Sequence, residues 1–139
     1  MNSIFREATE KDYPDIISFH KTENWGLDTM SAVKHFQQNG SLIIVCEKDG
    51  KIIGKMDVMQ KTRAGKEFLY IERVFIHPEW RRKGFGKQFI AFAEQECKKR
   101  GLKYIDLSVR EENIAALNLY SNNGFQELGK KIYMRKEIK

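Results

Sequence analysis

Residues able to hold an anion crowd into one stretch, Val74-Phe75-Ile76-His77-Pro78-Glu79-Trp80-Arg81-Arg82-Lys83-Gly84-Phe85-Gly86-Lys87. It reads as a strand that stops at a proline, a basic loop containing glycine, and the first turn of a helix. Helix N-termini leave amide N–H groups unpaired and carry partial positive charge, which suits a phosphate. Gly84 and Gly86 lack a Cβ and let the backbone approach a ligand, while Arg81, Arg82, Lys83 and Lys87 add charge at the same spot. A second set, Asn113, Ala116, Leu117 and Tyr120, is spaced at 0, 3, 4 and 7 and shares one helix face. Asn113 and Tyr120 then lie about 10.5 Å apart along the axis. Glu72 is the third candidate. Strand alternation puts it on one face with Tyr70, Val74 and Ile76, a position for a carboxylate only where that face opens into a cleft.

Other phosphate motifs fail on spelling. A P-loop needs Ser or Thr after Gly-Lys, but Gln88 follows Gly86-Lys87, and Arg81 stands where the first glycine belongs. A dinucleotide fingerprint needs a third glycine where this chain has Phe89. A plain strand-to-helix turn with a solvated basic run is the simpler alternative.

The pattern Arg81-x-x-Gly84-x-Gly86 behind a strand resembles the pyrophosphate-binding loop of the GNAT N-acetyltransferases, which hold acetyl-CoA there. The run Asn113-x-x-Ala116-x-x-x-Tyr120-x-x-x-Gly124-Phe125 is similar to that family's second signature, and Arg6-Glu7-Ala8-Thr9-Glu10-Lys11-Asp12 looks like its usual opening. The resemblance implies that the amides of Arg82 to Lys87 take the pyrophosphate. It implies that Asn113 contacts the pantetheine arm and that Tyr120 sits beside the sulfur of CoA. A phenol near pKa 10 is a sensible acid for a thiol near 8.5, so Tyr120 would protonate the leaving thiolate. Backbone N–H groups of Val74, Phe75 and Ile76 would hold the thioester carbonyl. Some members place a base Glu on the strand of Glu72; in relatives that acetylate ribosomal proteins a Glu stands where this chain has Ser108. Glu72 as a paired rim carboxylate, or a water chain as base, remain open.

These residues need a scaffold, and 139 residues with 41% hydrophobic and 12% aromatic content suffice for a single domain with a real core, expected over 1–139. No apolar run approaches the roughly 18 residues of a membrane span, so no membrane partner is expected. The stretch Met1 to Glu7 lacks a basic-then-apolar leader, so a cytoplasmic location is expected. Cys46 and Cys97 fall on apolar patterns as small buried hydrophobes, and His20, His35 and His77 stand alone, so no metal is assigned.

The expected order is strand 4–8, helix to about 21, helix 28–38, strands 42–46 and 51–59 joined by Asp49-Gly50, and a polar turn 61–66. A long strand 68–76, the loop, and a helix with Phe85, Phe89, Phe92, Ala93 and Cys97 on its inner stripe follow. Strand 104–109, a helix from Asn113 to Asn122 ended by Gly124, and a hairpin of 125–128 with 131–137 around Gly129 complete it. This is a mixed α/β (α+β) fold, its central sheet mostly antiparallel, with a β-loop-α acetyl-CoA site and a C-terminal hairpin.

The net charge of +6 calls for an acidic partner, which CoA with its phosphates or a nucleic acid would satisfy. No nucleic-acid motif accompanies the basic–aromatic run Tyr133-Met134-Arg135-Lys136, so no nucleic acid is expected. The favoured reading is an acetyl-CoA-dependent N-acetyltransferase attacked directly by a small-molecule or peptide amine, with no acyl-enzyme. The alternatives are a non-catalytic CoA-binding sensor and a basic nucleic-acid-binding module. Trp25 is either a wall of the acceptor pocket or packing between helices; Glu23 and Asp28 are placed to attract a cationic amine. A homodimer is left open.

Overall fold

The computed structural model describes residues 3–139; Met1 and Asn2, the start of the stretch read for a leader, lie outside the described residues. The chain divides into two compact units, Met1–Ser108 and Val109–Lys139.

The first unit is a meander carrying helices. β1 (Ser3–Glu7) leads through a 3₁₀ turn at Glu10–Asp12 into α1 (Tyr13–Glu23), with Pro14 in its first turn, and then α2 (Met30–Gln38). β2 (Leu42–Lys48), β3 (Lys51–Arg63) and β4 (Lys66–Ile76) follow, then α3 (Phe85–Lys99) and a two-residue β5 (Ile105–Asp106). The sheet order is β1-β2-β3-β4-β5; the first three pairings are antiparallel, and β5 joins β4 in parallel. The expected mixed, mostly antiparallel sheet is what forms.

Both hairpin turns have two residues with positive φ, the conformation that matches the twist of paired strands. Asp49 and Gly50 stand at 50° and 79°, Ala64 and Gly65 at 51° and 76°. The second turn corrects an expectation. Residues 61–66 are no loop, because β3 runs on to Arg63 and β4 starts at Lys66, paired with each other. Period-2 alternation is blurred there by the charged, exposed hairpin tip, which the turn Ala64-Gly65 alone reverses.

One face of the sheet packs Ala8, Tyr13, Ile16, Val33, Ile43 and Val45 together under α1 and α2. On α3, Phe85, Phe89, Ala93 and Cys97 are buried as expected, and Ile90 joins them while Phe92 is only half-buried. Phe89 meets Phe5 edge-on at 4.8 Å. Cys46 and Cys97 are free thiols and buried.

In the second unit α4 (Ile114–Asn122) starts at Asn113, whose side chain accepts from the Ala116 N–H at 3.2 Å. It ends as expected at Gly124, with φ of 90°. The C-terminal hairpin is the main departure: none of residues 125–139 is in a strand, and Leu128, Ile132, Tyr133, Met134 and Ile138 are exposed. Ile132, Tyr133 and Met134 run consecutively, so no strand built from them can be apolar on one face alone. Gly129 does not take the positive φ that a tight hairpin turn needs, and a lone two-stranded hairpin is marginal in water.

Candidate functional site

The strand end, loop and helix start lie in the first unit. His77 begins a 3₁₀ turn at Pro78–Trp80, and its side chain accepts from the Glu79 N–H. Arg81 folds back: its Nε donates to the Ile76 carbonyl at 2.7 Å, and its guanidinium lies 5.6 Å from the Phe75 ring. It therefore ties the loop to the strand. Arg82 and Gly84 carry positive φ, 61° and 90°, and Gly84 is the N-cap of α3 without a side-chain cap. The Gln88 N–H bonds the Gly84 carbonyl at 3.1 Å, so Phe85, Gly86 and Lys87 open the helix with amides that have no acceptor within it. A Cβ on Gly84 would meet nothing within 4 Å. The backbone there is open, with Arg82, Lys83 and Lys87 exposed around it. The Lys83 ammonium sits 5.1 Å from the centre of the Trp80 ring, which in turn meets Phe85 edge-on. This arrangement fits a pyrophosphate.

Asn113 and Tyr120 belong to the second unit, on one face of α4. Asn113 is exposed and spends its side-chain oxygen on the helix cap. Tyr120 is half-buried with its ring 5.5 Å from Phe125, and burial raises its phenol above the usual value. It therefore stays protonated well past neutral pH.

Glu72 needs a correction of face. Opposite residues of an antiparallel pair share a face, and the pairs are Asp57–Glu72 and Lys55–Phe75. Lys55 and Asp57 are two residues apart, so Glu72 goes with Phe75, not with Val74 and Ile76. A bulge between them shifts the alternation by one residue, which strict period-2 counting cannot foresee. The Glu72 side chain is 40% exposed and its Oε2 is 3.5 Å from Arg73 Nη1. Tyr70 on the same strand donates to Ser108 at 3.0 Å. Trp25 is half-buried and packs edge-on to His20 of α1 and Phe75 of β4.

The sequence reading passed over Lys55 and Asp57, both fully buried. Lys55 Nζ is 2.7 Å from Asp57 Oδ1, and Arg73 Nε donates to Asp57 Oδ2 at 2.6 Å. Two charges two residues apart within Ile52-Ile53-Gly54-Lys55-Met56-Asp57-Val58 were the available signal, the same oddity that singled out Glu72. His20 lies close by: its Nδ1 donates to the Leu27 carbonyl at 2.9 Å, and its Nε2 is buried without a partner. Burial, then Lys55, lowers its pKa and favours the neutral ring.

Burial pushes Lys55 down to about 8 from its ordinary 10.5, against the pull of Asp57. Between those values the unfolded chain holds the extra proton. Stability should therefore rise with pH from about 8 to 10.5, by an amount on the order of 1–3 kcal/mol, and the penalty is fully present below 8. Lys55→Met keeps the Asp57–Arg73 pair, and urea denaturation across that window should lose this rise relative to wild type.

Burial also raises both thiols, Cys46 to about 11. Among the described residues no group of three His, Cys, Asp or Glu is arranged to hold a metal ion, and no helix is long and apolar enough to cross a membrane.

Comparison with known proteins bears on the family and the fold. The model of the Acetyltransferase (GNAT) family matches residues 2–125. An uncharacterized N-acetyltransferase of Methanocaldococcus jannaschii is 30% identical over 112 residues, covering 78% of this chain and 49% of its own; the chain thus spans about half the length of that relative. A transcriptional regulator from Bacillus halodurans superposes with a TM-score of 0.83 at 25% identity, covering 97% of this chain and 100% of its own. AAC(6')-Iy, solved with the bisubstrate analogue CoA-S-monomethyl-acetylneamine, superposes with a TM-score of 0.84 at 18% identity over 99% and 100% of the two chains. Matched by the family model along most of its length, with the loop and helix signatures in order, the chain belongs to the acetyltransferase (GNAT) family.

Proposed function

We propose that this chain, as one domain over 1–139, is an acetyl-CoA-dependent N-acetyltransferase that passes the acetyl group directly to a primary amine. The start of α3 carries the reading: amides without intrahelical acceptors behind an open, positive-φ glycine, set among exposed cations. Acetyl-CoA, when bound, supplies an activated acyl group and a thiolate leaving group. Backbone amides from Arg82 to Lys87 hold its pyrophosphate, and Arg82, Lys83 and Lys87 neutralise it. Arg81 contributes by anchoring the loop to Ile76. The Val74–Ile76 backbone receives the acetyl carbonyl, Asn113 contacts the pantetheine arm, and Tyr120 delivers a proton to the sulfur. Glu72, exposed enough to meet solvent, takes the amine proton directly or through water.

Direct attack is supported by the two thiols, which burial keeps protonated and unreactive. The acetylneamine conjugate held by AAC(6')-Iy makes amino-sugar and other small-molecule amines the first acceptors to screen, by release of CoA thiol. The site is expected to act in the cytoplasm.

Gly84→Val tests the donor site. Its side chain would fill the space that the open Cβ direction leaves for phosphate oxygens. Acetyl-CoA affinity measured by calorimetry should fall at least about tenfold, or 1.4 kcal/mol. Unchanged affinity in a folded Gly84→Val protein would remove the loop from the donor site.

A further inference from the structure

β4 is irregular next to the strand end that the acetyl carbonyl is proposed to meet. Between the pairs Asp57–Glu72 and Lys55–Phe75, Arg73 and Val74 together stand opposite Met56. Arg73 absorbs the extra residue with a φ of 46°. Left-handed backbone costs a residue with a Cβ about 1–2 kcal/mol, so it persists only where its surroundings impose it.

The surroundings here are charged. Arg73 reaches across to Asp57, Asp57 is shared with Lys55, and these two flank Met56, the residue that faces the bulge. The Arg73 guanidinium also lies 5.2 Å from the Phe36 ring of α2, and its Nη1 points toward Glu72. Charge thus alternates from Lys55 in the interior, through Asp57 and Arg73, to the half-exposed Glu72. A buried ion pair adds little net stability compared with apolar residues of similar volume. What it supplies is a directional hold on the one residue whose backbone is distorted.

We propose that Lys55, Asp57 and Arg73 form a brace that fixes the β4 bulge and so sets the Val74–Ile76 backbone to receive the acetyl carbonyl. None of the three touches the acetyl group; they are positioning residues acting through the backbone. The inference rests on the acetyl-CoA reading above.

The test compares acetyl-CoA with CoA, by calorimetry, in wild type, Arg73→Ala, Arg73→Gly and Asp57→Asn. Wild type should bind acetyl-CoA more tightly than CoA. In Arg73→Ala and Asp57→Asn that preference should fall by about 3–10-fold, the worth of one carbonyl hydrogen bond, with CoA affinity held within about twofold. Glycine adopts positive φ freely, so Arg73→Gly should recover more of the preference than Arg73→Ala although both lack the ion pair. A merely structural pair would predict no such difference. Asp57→Asn leaves the buried Lys55 and the partly buried Arg73 without their shared anion; if it does not fold, the Arg73 variants decide alone. Full acetyl preference in a folded Arg73→Ala protein, equal loss for both ligands, or a wild type that binds CoA without acetyl preference would each overturn the brace and leave the CoA site standing. A wild type that binds neither ligand would overturn the acetyl-CoA reading and the brace with it.

Discussion

Tyr120→Phe is expected to lower kcat by about 10²–10⁴-fold while acetyl-CoA affinity stays within about twofold, because general acids contribute on that scale. The substitution keeps the ring and its edge contact with Phe125 at 5.5 Å, so α4 and its C-terminal turn should persist. Only the hydroxyl is lost. Burial raises that phenol, which ensures a bound proton throughout the neutral range, and a departing thiolate is its proposed recipient. The measurement is steady-state turnover with an amine identified in the acceptor screen, together with single-turnover rates to show that chemistry limits kcat. A Tyr120→Phe protein within threefold of wild type under those conditions would take the tyrosine out of the mechanism.

The largest expected loss of stability comes from Gly54→Val. A Cβ at Gly54 would stand 2.7 Å from the Phe75 carbonyl oxygen and 3.2 Å from Phe89 Cε2. The first contact is with backbone at the end of the β3–β4 ladder, where Gly54 pairs with Ile76, and backbone cannot rotate away as a side-chain tip would. The second is with a ring only 1% exposed, held on α3 and against Phe5. Overpacking of this kind typically costs 1–3 kcal/mol, and a β-branched residue against fixed backbone should cost about 3 kcal/mol or more. Urea denaturation should show the midpoint falling with little change in slope. A loss below about 0.5 kcal/mol would mean that β3 and β4 are not as close as 2.7 Å implies.

The loop and both helix starts could be read from residue types because their signals are local. Proline after a strand, glycine at a helix entry, and asparagine followed three residues later by an N–H to cap each act within one turn of chain. The β4 bulge was not legible in that way. It follows from register between Lys55–Asp57 and Glu72–Phe75, residues on different strands, and no spacing within β4 announces it. The same gap hid the Lys55–Asp57–Arg73 cluster, since a charge on an apolar strand names its partner only once the strands pair. Fifth-strand length also depended on neighbours: residues 104–109 have strand composition, but only Ile105 and Asp106 find partners, on Leu69 and Tyr70. The terminal hairpin expected around Gly129 lacks the alternation and the turn geometry that would sustain it.

The sheet order, identical to chain order, also bears on how this molecule is reached from the unfolded chain. Four consecutive strands pair with their sequence neighbours, two of the links being two-residue turns at Asp49-Gly50 and Ala64-Gly65. Each hairpin closes only a short stretch of chain, so its entropic toll is small and it can zip outward from the turn. The β3–β4 ladder, from Arg63–Lys66 inward, is therefore the natural nucleus, and its zipping must pass the bulge at Arg73 before Gly54 pairs with Ile76. The slow steps are then expected to be the longer closures, β1 onto β2 and β5 onto β4. The Val74–Ile76 strand end would thus take shape early, with the β3–β4 hairpin, before the sheet is complete.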